Sequence, residues 1–63
     1  MPEYRRRTKT DVWHWCSNCS DWPTGTPGVD YESQRVPRGE RPSSGELDNQ
    51  CRSKERNNNC NTV

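Results

Sequence analysis

Val12-Trp13-His14-Trp15-Cys16-Ser17-Asn18-Cys19-Ser20-Asp21-Trp22 is the stretch that decides how this chain can fold. It holds two of the four cysteines, all three tryptophans and the lone histidine. Residues 11–16 alternate in strand fashion, with Val12, His14 and Cys16 on one face and Trp13 and Trp15 on the other. Cys16 and Cys19 stand three apart, so a tight knuckle between them can aim both sulfurs at one metal ion. The tryptophans are expected in the core; the sharper alternative is an exposed aromatic anchor for a partner.

The rest of the chain makes such a cross-link necessary. Only 24% of the 63 residues are hydrophobic and 30% are charged, with a single Leu and no Ile, Ala or Phe. Val12, Trp13, Trp15, Trp22, Val29, Tyr31, Val36 and Leu47 are the expected core. So few apolar side chains cannot offset the conformational entropy of ordering the whole chain. The cysteines are the remaining source of stability. Two disulfides are one solution and a metal site is the other. No apolar leader follows Met1-Pro2-Glu3-Tyr4 and no run is long enough to span a membrane, so a cytoplasmic, reducing setting is expected, which favours metal over disulfides.

Residues 1–10 carry Arg5, Arg6, Arg7 and Lys9 against Glu3 and read as a flexible basic tail, with phosphate contact as the sharper alternative. The zinc-binding domain is expected over residues 11–60. Trp22 to Gly28 is turn chemistry, and Val29-Asp30-Tyr31 is expected to pair with the first strand as a small irregular hairpin. Residues 32–44, rich in Pro, Gly, Ser and Arg, read as a mobile loop. Ser43-Ser44-Gly45-Glu46 has capping-box spacing, which predicts one helix over residues 46–56 that ends at Asn57-Asn58-Asn59. Arg52, Lys54 and Arg56 make its outer side basic, while Leu47 and Cys51 share its inner face.

Cys16, Cys19 and Cys51 are the first three candidate ligands. The fourth is Cys60 or Asp48. Thiolate softness favours Cys60, but it lies beyond the far end of the expected helix, and the Asn run must double back to return it. Asp48 stands three residues before Cys51 and needs no reversal. His14, two residues from Cys16, is a further candidate, more naturally a supporting residue. Zinc is the expected ion. Iron would want a second close cysteine pair.

The pattern Cys16-Ser17-Asn18-Cys19 followed by Leu47-Asp48-Asn49-Gln50-Cys51 resembles a treble-clef zinc finger of the GATA type. In that family a knuckle cysteine pair precedes an irregular hairpin, and a Leu-Cys-Asn-x-Cys segment opens a helix. Cys16 and Cys19 match the knuckle ligands, Leu47 the core leucine, Asn49 the asparagine and Cys51 the helix ligand. Asp48 stands where the family has its third cysteine, and the gap between ligand pairs is longer. The resemblance implies a small metal-stabilised domain, an irregular hairpin followed by one C-terminal helix.

Such a domain is expected to be a binding module and not an enzyme. Nucleic acid is the first expected partner, contacted through Arg5, Arg6, Arg7, Lys9, Arg52, Lys54 and Arg56. Another protein, held through Trp13 or Trp15, is the second. No membrane or small-molecule substrate is expected, and the chain is expected to be a monomer. A CxxC redox protein or a disulfide miniprotein are the remaining readings.

Overall fold

The arginine-rich amino terminus is a strand, and this corrects the expected tail. The computed structural model describes residues 2–37 and 39–62. It contains β1 (Glu3–Arg7), β2 (Val12–His14), β3 (Tyr31–Arg35), β4 (Glu46–Leu47) and one helix, α1 (Asn49–Arg56). The four strands form one sheet in the order β3-β1-β2-β4. β1 runs antiparallel to both its neighbours, and β4 lies parallel to β2. The expected pairing of the Tyr31 segment with the tryptophan strand is therefore replaced: β1 stands between them.

Side-chain alternation explains how a run of arginines occupies the centre of a sheet. Tyr4 and Arg6 face one way; the Tyr4 ring lies 5.7 Å from that of Trp15, and the Arg6 guanidinium sits 4.9 Å from the Trp13 ring. Glu3 and Arg5 face the other way. The Arg5 guanidinium is 4.6 Å from the Trp22 ring and 4.5 Å from that of Tyr31. It donates to the Pro23 carbonyl at 2.9 Å and forks onto Glu3 at 3.1 and 3.4 Å. Arg6 donates to Asp11 at 2.8 Å and to Glu32. Two of the expected basic-arm residues are thus committed to internal contacts. Arginine here covers the aromatic rings on the sheet faces, since its planar cation stacks on them.

The core consists of Tyr4, Trp13, Trp15, Cys16, Cys19, Val36 and Cys51, with Trp22, Leu47 and Cys60 packed against it. Trp13 and Trp15 are only 3% and 4% exposed, so neither is an exposed anchor. The Trp13 indole donates to the Ser44 carbonyl and that of Trp15 to Glu55. Tyr4 joins the core unexpectedly, and Val29 leaves it at 67% exposure.

The segment before the helix is extended where a helical start is expected. The Glu46 amide donates to the Asp11 carbonyl at 2.7 Å and that of Asp48 to Trp13 at 3.0 Å. Gly45 permits this approach: its φ is +81°, and a Cβ there would lie 2.8 Å from the Asp11 carbonyl oxygen. Asp48 is the N-cap, at φ −66° and ψ 132°, and the helix follows to Arg56 with Lys54 and Arg56 in its last turn. Asn58, at φ 57°, turns the chain back as the Asn run leads one to expect. Residues 32–35 of the expected mobile loop belong to β3, and Arg38 lies outside the described residues.

Glu3 gives the fold a pH dependence. Burial pushes its carboxyl up from the ordinary 4.5, but the Ser33 hydroxyl and the Arg5 fork, with the charges of Arg5 and Arg35, bring it below that value. A depressed folded pKa means that the native state holds fewer protons than the unfolded chain above that pKa. The stabilisation is complete above pH 4.5 and is lost as the pH falls through the folded value. Glu3→Gln should lower the thermal midpoint at neutral pH, and the gap to wild type should close on acidification. Circular dichroism melts at equal metal loading measure this; a gap that stays constant with pH would assign the loss to packing alone.

Candidate metal centre

Three separate elements deliver four ligand atoms to one place. His14 ends β2, Cys19 lies in the turn after it, Asp48 caps α1, and Cys51 sits in the first helical turn. Their donor atoms all lie within 4.8 Å of one another. His14 Nδ1 is 3.8 Å from the Cys19 sulfur, 3.9 Å from that of Cys51 and 3.6 Å from Asp48 Oδ2. Asp48 Oδ2 is also 3.6 Å from the Cys19 sulfur. An ion with tetrahedral bonds of about 2.0–2.3 Å holds its donors about 3.3–3.8 Å apart. The four separations above, 3.6–3.9 Å, lie at the upper end of that range, and the whole group, within 4.8 Å, is close to the size of a four-coordinate site.

Each donor is held by something that does not depend on metal. The knuckle is fixed by the Cys19 amide donating to the Cys16 carbonyl at 3.0 Å and the Trp22 amide to the Cys19 carbonyl at 3.1 Å. Asp48 Oδ2 accepts from the Cys51 amide at 2.8 Å, so the capping bond also aims the carboxylate. The backbone of His14 lies opposite Arg5 in the pairing of β2 with β1, which fixes the point from which its imidazole extends. With Nδ1 toward the cluster, Nε2 is the nitrogen left to carry the proton when a metal binds.

Local electrostatics favour a charged Asp48 and a protonated Cys51. Burial pushes the Asp48 carboxyl up, but the amide and thiol of Cys51, with His14 and Cys19, hold it below the ordinary value. Burial, with a smaller contribution from neighbouring Cys19, outweighs backbone contacts from Cys16 and Trp15 that favour the thiolate, and the Cys51 thiol is pushed up to about 12. A divalent ion supplies the charge that would reverse this preference.

Cys19, Cys51 and Asp48 are thus brought together, and His14 completes the group instead of Cys60. Cys16 is placed differently from expectation: it forms a disulfide with Cys60, Cα to Cα 5.0 Å, across a sequence separation of 44. Neither sulfur offers a thiolate while that bond stands. The reason lies in the tail. Its reversal does occur, but the Asn18 side chain bonds Asn59 and Asn61, and the Ser17 amide bonds the Asn61 carbonyl at 2.8 Å. These contacts return Cys60 to Cys16 and not to the cluster. A loop of that size, once closed, removes about 4 kcal/mol of entropy from the unfolded chain.

Two of the expected phosphate-contacting residues are already engaged within the protein. Arg5 and Arg6 are used inside the sheet, Arg7 reaches the Asp21 carbonyl at 3.4 Å, and Lys9 lies in the turn after β1. Arg52 and Arg56 are exposed on α1, and Lys54 is half-buried. Comparison with protein-family models, curated proteins and solved structures finds no match to this chain. No described helix is long and apolar enough to cross a membrane.

Because Cys51 must lose its proton to bind an ion, metal affinity should rise with pH. Each released proton gives about a tenfold gain per pH unit. Competition against a chromophoric chelator between pH 6 and 8 should show a slope of at least one, reduced in Cys51→Ser. A flat profile would mean that no thiol is a ligand.

Proposed function

We propose that this chain is a small zinc-binding domain whose ion joins the knuckle to the C-terminal helix, and that it acts as a binding module and not as an enzyme. The observation that carries this reading is the convergence of His14, Cys19, Asp48 and Cys51 within 4.8 Å. Two thiolates and an imidazole are soft or borderline donors, which suit zinc better than magnesium, calcium or manganese. Asp48 adds a carboxylate, a less common but legitimate zinc ligand. Three of the four residues are buried, as a structural centre requires. The treble-clef likeness survives in this reading in one respect: one ligand comes from a knuckle and two from the start of the terminal helix.

The ion would supply what the composition lacks. Structural zinc contributes about 10–16 kcal/mol in finger peptides. Native mass spectrometry should show one zinc per chain, lost with chelator, and chelation should reduce amide chemical-shift dispersion across residues 12–57. Full dispersion retained in excess chelator, with no zinc in the native spectrum, would reject the reading.

Nucleic acid is the partner this reading favours, through the helix side of the molecule. Arg41 and Arg52 line a cleft of about 720 Å³ together with Tyr4, Trp15 and Leu47. Two guanidinium groups in one cleft suit a phosphate backbone. Glu40 and Glu55 line the same cleft, so binding should be weak. Single-stranded oligonucleotides should bind at micromolar or weaker affinity, falling with salt. Substituting Arg52→Gln should reduce the magnitude of the log–log salt slope by about 0.7 for one lost phosphate contact. Salt-independent binding, or none, would remove nucleic acid as the partner.

A further inference from the structure

Cys16 is the residue that the proposed centre leaves out, yet it lies against it. Its sulfur is fully buried and sits 3.4 Å from the carbonyl oxygen of Cys51. A disulfide sulfur has no proton to donate, so this is a packing contact. Cys16 shares one core cluster with Cys19 and Cys51, and Cys60 packs against that cluster from outside. On β2 and its continuation, His14 and Cys16 are two apart and share a face. The knuckle bond from the Cys19 amide to the Cys16 carbonyl does not involve the disulfide.

We propose that the Cys16–Cys60 disulfide is a redox latch on the metal centre, and that its reduction by a dithiol makes Cys16 a third thiolate ligand beside Cys19 and Cys51. This inference rests on the zinc-site reading above. One ion then has two coordination modes. With the latch closed, the donors are His14, Cys19, Asp48 and Cys51. With it open, Cys16 enters and either His14 or Asp48 leaves.

The exchange balances without any further reactant. One thiolate of the dithiol attacks the Cys60 sulfur, which is more exposed than that of Cys16. A mixed disulfide forms on Cys60, and the Cys16–Cys60 bond breaks with its electron pair on Cys16. The second thiol of the reductant then attacks the mixed disulfide. Cys60 departs as a thiolate and takes a proton from water, while the reductant closes to its own disulfide. Two electrons have passed to the protein. Cys16 leaves the bond already as a thiolate, the form a metal binds.

Opening the latch also frees residues 57–62 from their covalent tie. The remaining anchors include the contacts of Ser17 and Asn18 with Asn59 and Asn61, the bridge between Cys16 and Thr62, and amide bonds from Asn57, Asn58 and Asn59 back to the end of α1. Metal affinity, ligand set and tail order would therefore change together with the redox state.

Cobalt(II) substitution of the full chain tests this directly, since sulfur-to-cobalt charge-transfer intensity grows with the number of thiolates. The protein is reduced with a dithiol, freed of reductant by anaerobic desalting, loaded with cobalt and compared with the oxidised form. Going from two thiolates to three should raise that intensity about 1.5-fold and strengthen binding about tenfold or more. Cys60→Ser should give the three-thiolate spectrum without reductant. Cys16→Ser should give the two-thiolate spectrum under both conditions. An unchanged two-thiolate spectrum after verified reduction overturns the latch but leaves the zinc site standing. No thiolate charge transfer in either state overturns the zinc site and the latch with it.

Discussion

A single carboxylate oxygen connects the two halves of this molecule. Asp48 Oδ2 accepts the Cys51 amide at 2.8 Å, which starts the helix, and lies 3.6 Å from both His14 and Cys19. Helix initiation and ligand alignment are therefore one event. Remove the cap and the first turn loses its partner for an orphan N–H, while Cys51 loses the position from which its sulfur meets the knuckle. The rest of the structure can be seen as what brings that oxygen to the knuckle. β4 hydrogen-bonds alongside β2, Gly45 lets its backbone come close, and the chain turns into α1 at the point where Asp48 faces His14.

Local signals made the helix half of the site legible. Cysteine spacing singled out the knuckle and Cys51; Asp48 was legible as a rival ligand from its position three residues earlier. The end of the helix was legible from the Asn run. The start was not, because Ser43 and Glu46 have capping-box spacing, yet Glu46 and Leu47 are drawn into a parallel bridge with Val12 and Trp13. That pairing depends on residues more than thirty positions away, and no local propensity reports it. His14 stood among the candidates, but a lone histidine beside a cysteine pair is more often a supporting residue than a ligand, and thiolate softness favoured Cys60 over Asp48. What decided otherwise was the clamp of Asn18 on the tail, a contact between two loops without sequence periodicity.

The amino-terminal strand was the larger surprise, and it has a physical cause. Composition treats Arg5, Arg6 and Arg7 as solvated charge, which is their usual state. Here each of the first two has an aromatic face to lie on and a carboxylate to meet: Trp22, Tyr31 and Glu3 for Arg5, and Trp13, Asp11 and Glu32 for Arg6. Those partners are scattered from residue 3 to residue 32. An amphipathic pattern is present in Glu3-Tyr4-Arg5-Arg6, but it is written in stems and rings instead of aliphatic residues, so hydrophobic periodicity does not detect it.

These features answer the same shortage in different ways. A chain with one Leu and no Ile, Ala or Phe cannot close a core by apolar burial alone. Cation–aromatic stacking fills the sheet faces, a disulfide ties the tail to Cys16, and four donors meet where the knuckle touches the helix. The first is local to the sheet and tolerates solvent; the second and third both join residues 14–19 to the last third of the chain. Two cross-links between the same two segments would be redundant if both were permanent. They are not redundant if one holds the segments together while the other exchanges its ligands or its bond. A covalent tie at Cys16 and a cluster with the donors to hold an ion act on the same two segments, so a change in one is felt by the other.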